Sequence, residues 1–134
     1  MKVVVAIDSL KGSLSSLEAG AAISEGIHRV FNDAEVMVRP LADGGEGRLD
    51  AQTAMEKAPI GVAEIAKKYG KKVLAFSGCV TEDAVLCNQH GIEAFFPILR
   101  TVTTLKEAME PENARENLTA TVEQIFRLIK CFGH

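Results

Sequence analysis

The sequence has no excess of basic residues. Fifteen Lys and Arg stand against eighteen Asp and Glu, giving a net charge of −3 and a pI near 5.6. A nucleic-acid surface draws on a basic face, so that class of partner is not expected. A small anionic ligand stays open, because a single loop can be positive in an acidic protein. No apolar run reaches membrane-spanning length. The opening Met1–Ala6 is too short for a signal-peptide core and runs into polar Asp8 and Ser9. It reads as a first strand, and a cytoplasmic location without a membrane partner is expected. Cysteine is sparse: Cys79, Cys87 and Cys131, with no CxxC. An odd number without close pairing points to reduced thiols. Cys79 and Cys87 with His90 would make a metal set short of a fourth ligand, so no metal site is expected. The GxxxxGK[ST] phosphate loop and the GxGxxG dinucleotide pattern are both missing. Repeats, low-complexity tracts and linkers are missing too.

What is present is ordinary for a globular domain. The chain has 134 residues, 47% hydrophobic and 25% charged, which suits one domain over residues 1–134. Apolar runs alternate with helical patterns, as in a parallel α/β sheet. Strands are expected at about Lys2–Ile7, Glu35–Leu41, Lys72–Ser77 and Glu93–Ile98. A helix is expected over Ser15–Phe31, opened by the capping box Ser15/Glu18, with Leu17, Ile23, Ile27, Val30 and Phe31 as its apolar face. A second spans about Pro59–Tyr69 and stops at Gly70. Thr81 caps a short helix ending near Gly91. Thr104 with Glu107 forms another capping box, Pro111 interrupts, and Asn113 with Glu116 restarts a helix with the stripe Leu118, Val122, Ile125 and Ile129. The fold class expected is α/β: a small doubly wound parallel sheet of about four strands, a flavodoxin-like or Rossmann-like three-layer sandwich. Right-handed crossovers by analogy give the strand order 2-1-3-4.

Two loops collect the chemistry. Asp8-Ser9-Leu10-Lys11-Gly12-Ser13 follows the first strand, on the carboxyl edge where open α/β sheets bind ligands. Lys11 can meet a phosphate or carboxylate as a point charge. Gly12 allows close backbone approach, and Ser13 or Ser15 with free helix amides can hold an anion. The plainer alternative is a capped turn with a solvated lysine, and spacing alone favours it. Asp43-Gly44-Gly45-Glu46-Gly47 follows the second strand onto the same edge. Its carboxylates can hold Mg²⁺ or accept a hydroxyl proton; a polar loop needing glycine geometry would look the same. Arg48 can clamp an anion or pair with Asp50. Lys57, before a helix start, adds positive charge there or is merely solvated. His28, His90 and His134 belong to no catalytic set.

At these motifs a resemblance enters. VVVAIDSLKGSLSSLEAG is similar to the opening of type I glycerate kinases, usually a strand followed by PDSFKGSLSA. VRPLADGGEG resembles their next motif. GEGRLDAQTAMEKAPIGVAEIAKKYGKKV resembles a late segment, usually TGEGRLDxQTxxGKAPxGVA, and HGIEAFFPIL onward resembles their carboxyl end. Two distant motifs thus share one Gly45-Glu46-Gly47, as if spliced at about 45–47 with the long middle removed. The resemblance implies transfer of the ATP γ-phosphoryl group to D-glycerate, with ATP and Mg²⁺ as cofactors. Carried over by position, Asp8, Lys11 and Asp43 are the catalytic candidates. Ser9, Gly12, Ser13, Gly44, Gly45, Glu46, Gly47, Arg48, Asp50 and Lys57 are the substrate-binding candidates; Gln52 and Thr53 also match the third motif.

Two residues depart from that pattern. Ile7 stands for the usual proline, and Glu56 for the usual glycine beside Lys57, adding a negative charge next to an anion-site candidate. The larger departure is the absent middle. Phosphoryl transfer depends on several converging elements, and half a cleft supplies little of that. The expectation is a catalytically silent enzyme domain. Residual glycerate kinase activity and a stand-alone weak anion- or nucleotide-binding module are the alternatives. Expected partners are a small anion (glycerate, phosphate or ATP) and a second copy joined through the exposed former domain interface.

Overall fold

The structure is a computed structural model and describes residues 1–7, 13–40, 48–49, 58–77, 79–80, 88–89 and 91–133. The chain divides into two compact units, Met1–Gly45 with Leu99–His134, and Glu46–Ile98.

The first unit starts from β1 (Lys2–Ile7) and β2 (Glu35–Pro40), paired in parallel with Val5 opposite Val38 and Ile7 opposite Pro40. Between them runs α1 (Ser16–His28). Its start is the expected capping box: Ser15 Oγ accepts from the Glu18 amide at 3.1 Å, and Glu18 Oε1 accepts from the Ser15 amide at 3.0 Å. The helix ends earlier than expected, with Arg29 as its C-cap. His28 then bridges to the Ala34 carbonyl at 2.9 Å, steadying the turn into β2.

The buried face of α1 is made of small residues: Ala19, Gly20, Ala22 and Gly26, with Ile23 and Ile27. Leu17, expected inside, is 69% exposed. Close approach explains the difference. A Cβ on Gly20 would lie 2.6 Å from Val38 Cγ1, and one on Gly26 would lie 2.7 Å from the Thr119 carbonyl oxygen. α1 is therefore held against β2 on one side and the last helix on the other.

That last helix, α4 (Pro111–Cys131), follows the short α3 (Leu105–Met109). Thr104 caps α3, accepting from the Glu107 amide. The Glu107 carboxylate does not complete a box; it accepts from Thr103 Oγ1 at 2.9 Å. Pro111 sits at the first turn of α4, where a missing N–H costs nothing. The expected restart at Asn113 is thus two residues late. Asn113 Nδ2 instead donates to the Glu107 carbonyl at 2.8 Å, satisfying the end of α3. On α4 the buried stripe is Ala114, Leu118, Thr119, Thr121, Val122 and Phe126; Ile125 and Ile129 are half-buried. Thr119 Oγ1 donates to the Ala22 carbonyl at 2.9 Å across the buried helix interface. Phe31 meets Phe126 edge-on at 6.3 Å, and Lys130 lies 5.7 Å from the Phe31 ring centroid.

In the second unit, α2 (Ala58–Lys68) is accompanied by short parallel pairs. β3 (Arg48–Leu49) pairs with β5 (Cys79–Val80), and β4 (Leu74–Ser77) with β6 (Ala94–Pro97). Gly70 ends α2 at φ 66°. Its amide donates to the Lys67 carbonyl at 3.1 Å, and the Lys71 amide to that of Ala66 at 2.9 Å. This is a Schellman stop, which needs the left-handed conformation glycine adopts freely. Phe76 and Phe96 stack at 5.5 Å across β4 and β6.

The architecture is α/β, and every strand pair among the described residues is parallel. Two expected neighbours, the first with the second strand and the Leu74 strand with the Ala94 strand, are pairs. Among the described residues the strands form three two-stranded parallel sheets rather than one of four. The helix expected after Thr81 lies mostly outside the described residues.

Candidate functional site

β1 and β2 run in parallel, so both end at one edge of the first unit. Residue 8 follows Ile7 and residue 41 follows Pro40 there. Of the candidates, Asp8, Ser9, Lys11, Gly12, Asp43, Gly44, Gly45, Glu46, Gly47, Asp50 and Lys57 lie outside the described residues, as do Cys87, His90 and His134. Ser13 and Arg48 are described. Arg48 belongs to the second unit, where its backbone pairs with Cys79.

Ser13 is placed two residues before the α1 N-cap, beside Leu14, which is 2% exposed and anchors this end of the loop. The Ser13 hydroxyl oxygen is buried and has no hydrogen-bond partner among the described residues. A buried unpaired hydroxyl is costly in a native protein.

The α1 amino terminus is less open to an anion than the sequence suggests. Ser15, a possible ligand by sequence, has its hydroxyl committed to the Glu18 amide, and its own amide to the Glu18 carboxylate. Those two bonds, the backbone one first, hold the Glu18 carboxyl below its usual range, with Arg115 at 3.7 Å assisting. Glu18 therefore stays ionised and offsets the helix's positive end. Among the described residues the Ser16 and Leu17 amides remain uncommitted.

One cation at this edge was not singled out by sequence. Arg39 is the residue before Pro40 on β2, exposed, and its guanidinium donates to the Val38 carbonyl at 3.3 Å. It forms no ion pair among the described residues. Its signals were its position, one residue from a strand end, and its place in the VRPLADGGEG stretch, of which only the glycine-rich half was read for chemistry.

Among the described residues there is no group of three or more His, Cys, Asp or Glu able to hold a metal. Cys131 is free and exposed at the end of α4. No described helix is long and apolar enough to cross a membrane.

The glycerate kinase family model matches residues 3–49 and again 45–130. The chain belongs to the glycerate kinase family. Glycerate kinase from Haemophilus influenzae is 39% identical over 97 residues, covering 72% of this chain and 24% of that protein. Glycerate 2-kinase from Escherichia coli K12 is 43% identical over 83 residues, covering 58% and 22%. Glycerate kinase from Bacillus subtilis 168 is 37% identical over 101 residues, covering 75% and 25%. The chain thus spans about a quarter of the length of these curated relatives. The two matched stretches overlap at Gly45–Leu49, so one GEGRL closes the first and opens the second.

Proposed function

We propose that this chain is the α/β domain of a glycerate kinase whose central region is absent, and that it is catalytically silent. The overlapping family match carries the reading. Two stretches of one family model meet on the same five residues, as they would if a middle had been removed at a repeated tripeptide. Whether by design or by natural deletion, the result is the same chemistry. In this reading the β-strands belong to one doubly wound sheet, which the consistently parallel pairs support.

The reaction class is transfer of the ATP γ-phosphoryl group to the hydroxyl of D-glycerate. Bound ATP would supply the phosphoryl group, and Mg²⁺ would offset its charge. Lys11, Gly12 and Ser13 would hold a phosphate; the unpaired Ser13 hydroxyl supports that role. Asp8 and Asp43 would hold Mg²⁺ or take the hydroxyl proton. Glycerate would be met by residues of the Gly44–Asp50 stretch and Lys57. Transfer also needs groups that close over both substrates, and these have no candidates among the residues present.

A coupled ADP-release assay with Mg-ATP and D-glycerate tests this. The expected kcat/KM lies at least roughly a thousandfold below that of the Escherichia coli relative, the loss of about 4 kcal/mol of transition-state stabilisation. Turnover comparable to the relative would overturn the silent reading in favour of a retained kinase.

A further inference from the structure

The face of the β1–β2 pair turned away from α1 carries two rows, Lys2, Val4 and Ala6 on β1 against Glu35, Met37 and Arg39 on β2. The orientation follows from Val38, which meets Gly20 of α1 on the opposite face. The two ends of this face differ. At the amino edge the charges cancel, Lys2 Nζ lying 3.5 Å from Glu35 Oε2. At the carboxyl edge Arg39 stands opposite Ala6, a residue with no charge to offer.

Three other guanidinium groups of this unit have carboxylates, whereas Arg100, like Arg39, has none among the described residues. Arg29 is 3.2 Å from both Glu25 and Glu123, Arg127 is 3.0 Å from Glu123, and Arg115 is 3.7 Å from Glu18. Arg39 has a carbonyl at 3.3 Å and no carboxylate among the described residues. It stands one residue from the end of the strand that leads into Asp43–Gly47, and level with the residue before Ile7 on the strand that leads into Asp8–Ser13. A guanidinium so placed has donors to spare, in a planar fork that fits two oxygens of a carboxylate or phosphate.

We propose that Arg39 is a specificity-determining residue of this edge, donating to the oxyanion of a small ligand, carboxylate or phosphate. This rests on the reading of the β1–β2 carboxyl edge as the ligand edge. Arg39 supplies a positive charge at an edge whose two following loop sequences carry the acidic residues Asp8, Asp43 and Glu46.

The test is an NMR amide titration of the whole chain with inorganic phosphate, D-glycerate and Mg-ATP separately, on wild type, Arg39→Ala, Arg39→Lys and Lys2→Ala. Because Arg39 is exposed, its loss is expected to weaken binding by a factor of roughly three to ten, with the melting temperature kept. Arg39→Lys recovers part of the affinity, since it keeps charge but not the fork. Lys2→Ala, which removes one charge at the far end of the face, leaves affinity unchanged. A fall confined to glycerate assigns the carboxylate as the partner; a fall for phosphate and Mg-ATP assigns the phosphate. If wild type binds and Arg39→Ala binds equally well, or Lys2→Ala weakens binding as much, the role of Arg39 is overturned while the edge stands. If wild type binds none of the three anions, the ligand-edge reading fails and the role of Arg39 with it.

Discussion

The two compact units bury their residues differently. In the unit of β1, β2, α1 and α4, the described core includes Val5, Leu14, Ile23, Ile27, Leu118, Val122 and Phe126, closed by the Thr119–Ala22 hydrogen bond. In Glu46–Ile98, the buried hydrophobic residues among those described are Ala63, Ile92 and Ile98. There Ile65 on α2 and Tyr69 just beyond its end are 60% and 74% exposed. Stability follows buried apolar contact, so among the described residues local opening should come sooner at the end of α2 than at α1 and α4. The difference teaches that the described core is built mainly from the two ends of the chain. Residues 1–45 and 99–134, far apart in sequence, form one body, held mainly by α1 against α4.

The largest expected effect tests that division directly. Leu118, 2% exposed on α4, should cost about 2–5 kcal/mol when cut to alanine. Native-state hydrogen exchange should show α1 and α4 amides protected well beyond those of α2. Leu118→Ala should speed α1 and α4 exchange together. Equal protection of α2 and α1 in the wild type would break the comparison.

Next come the two glycines of α1. Alanine in a helix interior normally gains about 0.5–1 kcal/mol over glycine. At Gly26 the new methyl would meet a backbone carbonyl at 2.7 Å and Val122 side-chain atoms at 3.0 Å. A backbone cannot rotate away, and overpacking costs about 1–3 kcal/mol, so Gly26→Ala should destabilise. At Gly20 the obstacle is the Val38 side chain alone, with Cγ1 at 2.6 Å. Val38 is stiff but can shift within its strand, so Gly20→Ala should cost less. Urea melts of both variants decide this. A stabilised Gly26→Ala would mean that α1 and α4 are not held as closely as described.

Local motifs were the most legible parts of this chain. The Ser15/Glu18 box and the Gly70 stop depend on a few adjacent residues, and both stand as read. The parallel β1–β2 pair followed from strand, helix, strand in succession. Interfaces between distant segments were harder to read. Apolar periodicity gives weight to large residues, so Leu17 was placed inside while Ala19, Gly20, Ala22 and Gly26, which permit close approach, were passed over. Asn113 fitted a capping pattern, but Pro111 had already opened the helix, and the amide served the helix before it. Phe126, and not Ile125 or Ile129, is the buried residue at the level where it meets Phe31, which follows the α1 C-cap. The family was legible because its motifs are long. The site was legible as motifs only: Ser13 and the backbone of Arg48 are the described parts, and Arg39, though inside the VRPLADGGEG stretch, was not read for chemistry.

The smallest expected effect concerns the ion pairs, all of which among the described residues lie in the first unit. Glu123 on α4 accepts from Arg127 at 3.0 Å and from Arg29 of the α1 C-cap at 3.2 Å. Arg127 first, then Arg29, hold its carboxyl below the usual 4.5. Glu18 is held low by Ser15 and Arg115. A carboxyl whose folded pKa is depressed binds fewer protons folded than unfolded between the two values. Its contribution is therefore complete above the unfolded value near 4.5 and is lost as pH falls through the lower folded value. These groups are solvent-accessible, so the gain is modest and screened by salt. Glu123→Gln should be slightly less stable than wild type at neutral pH. As pH falls below about 4.5 the gap should close, because wild type loses a contribution that the amide never had. Urea melts of both proteins across this range, at low and high salt, measure it. A gap that stays constant with pH would show that Glu123 acts through packing and not through its charge.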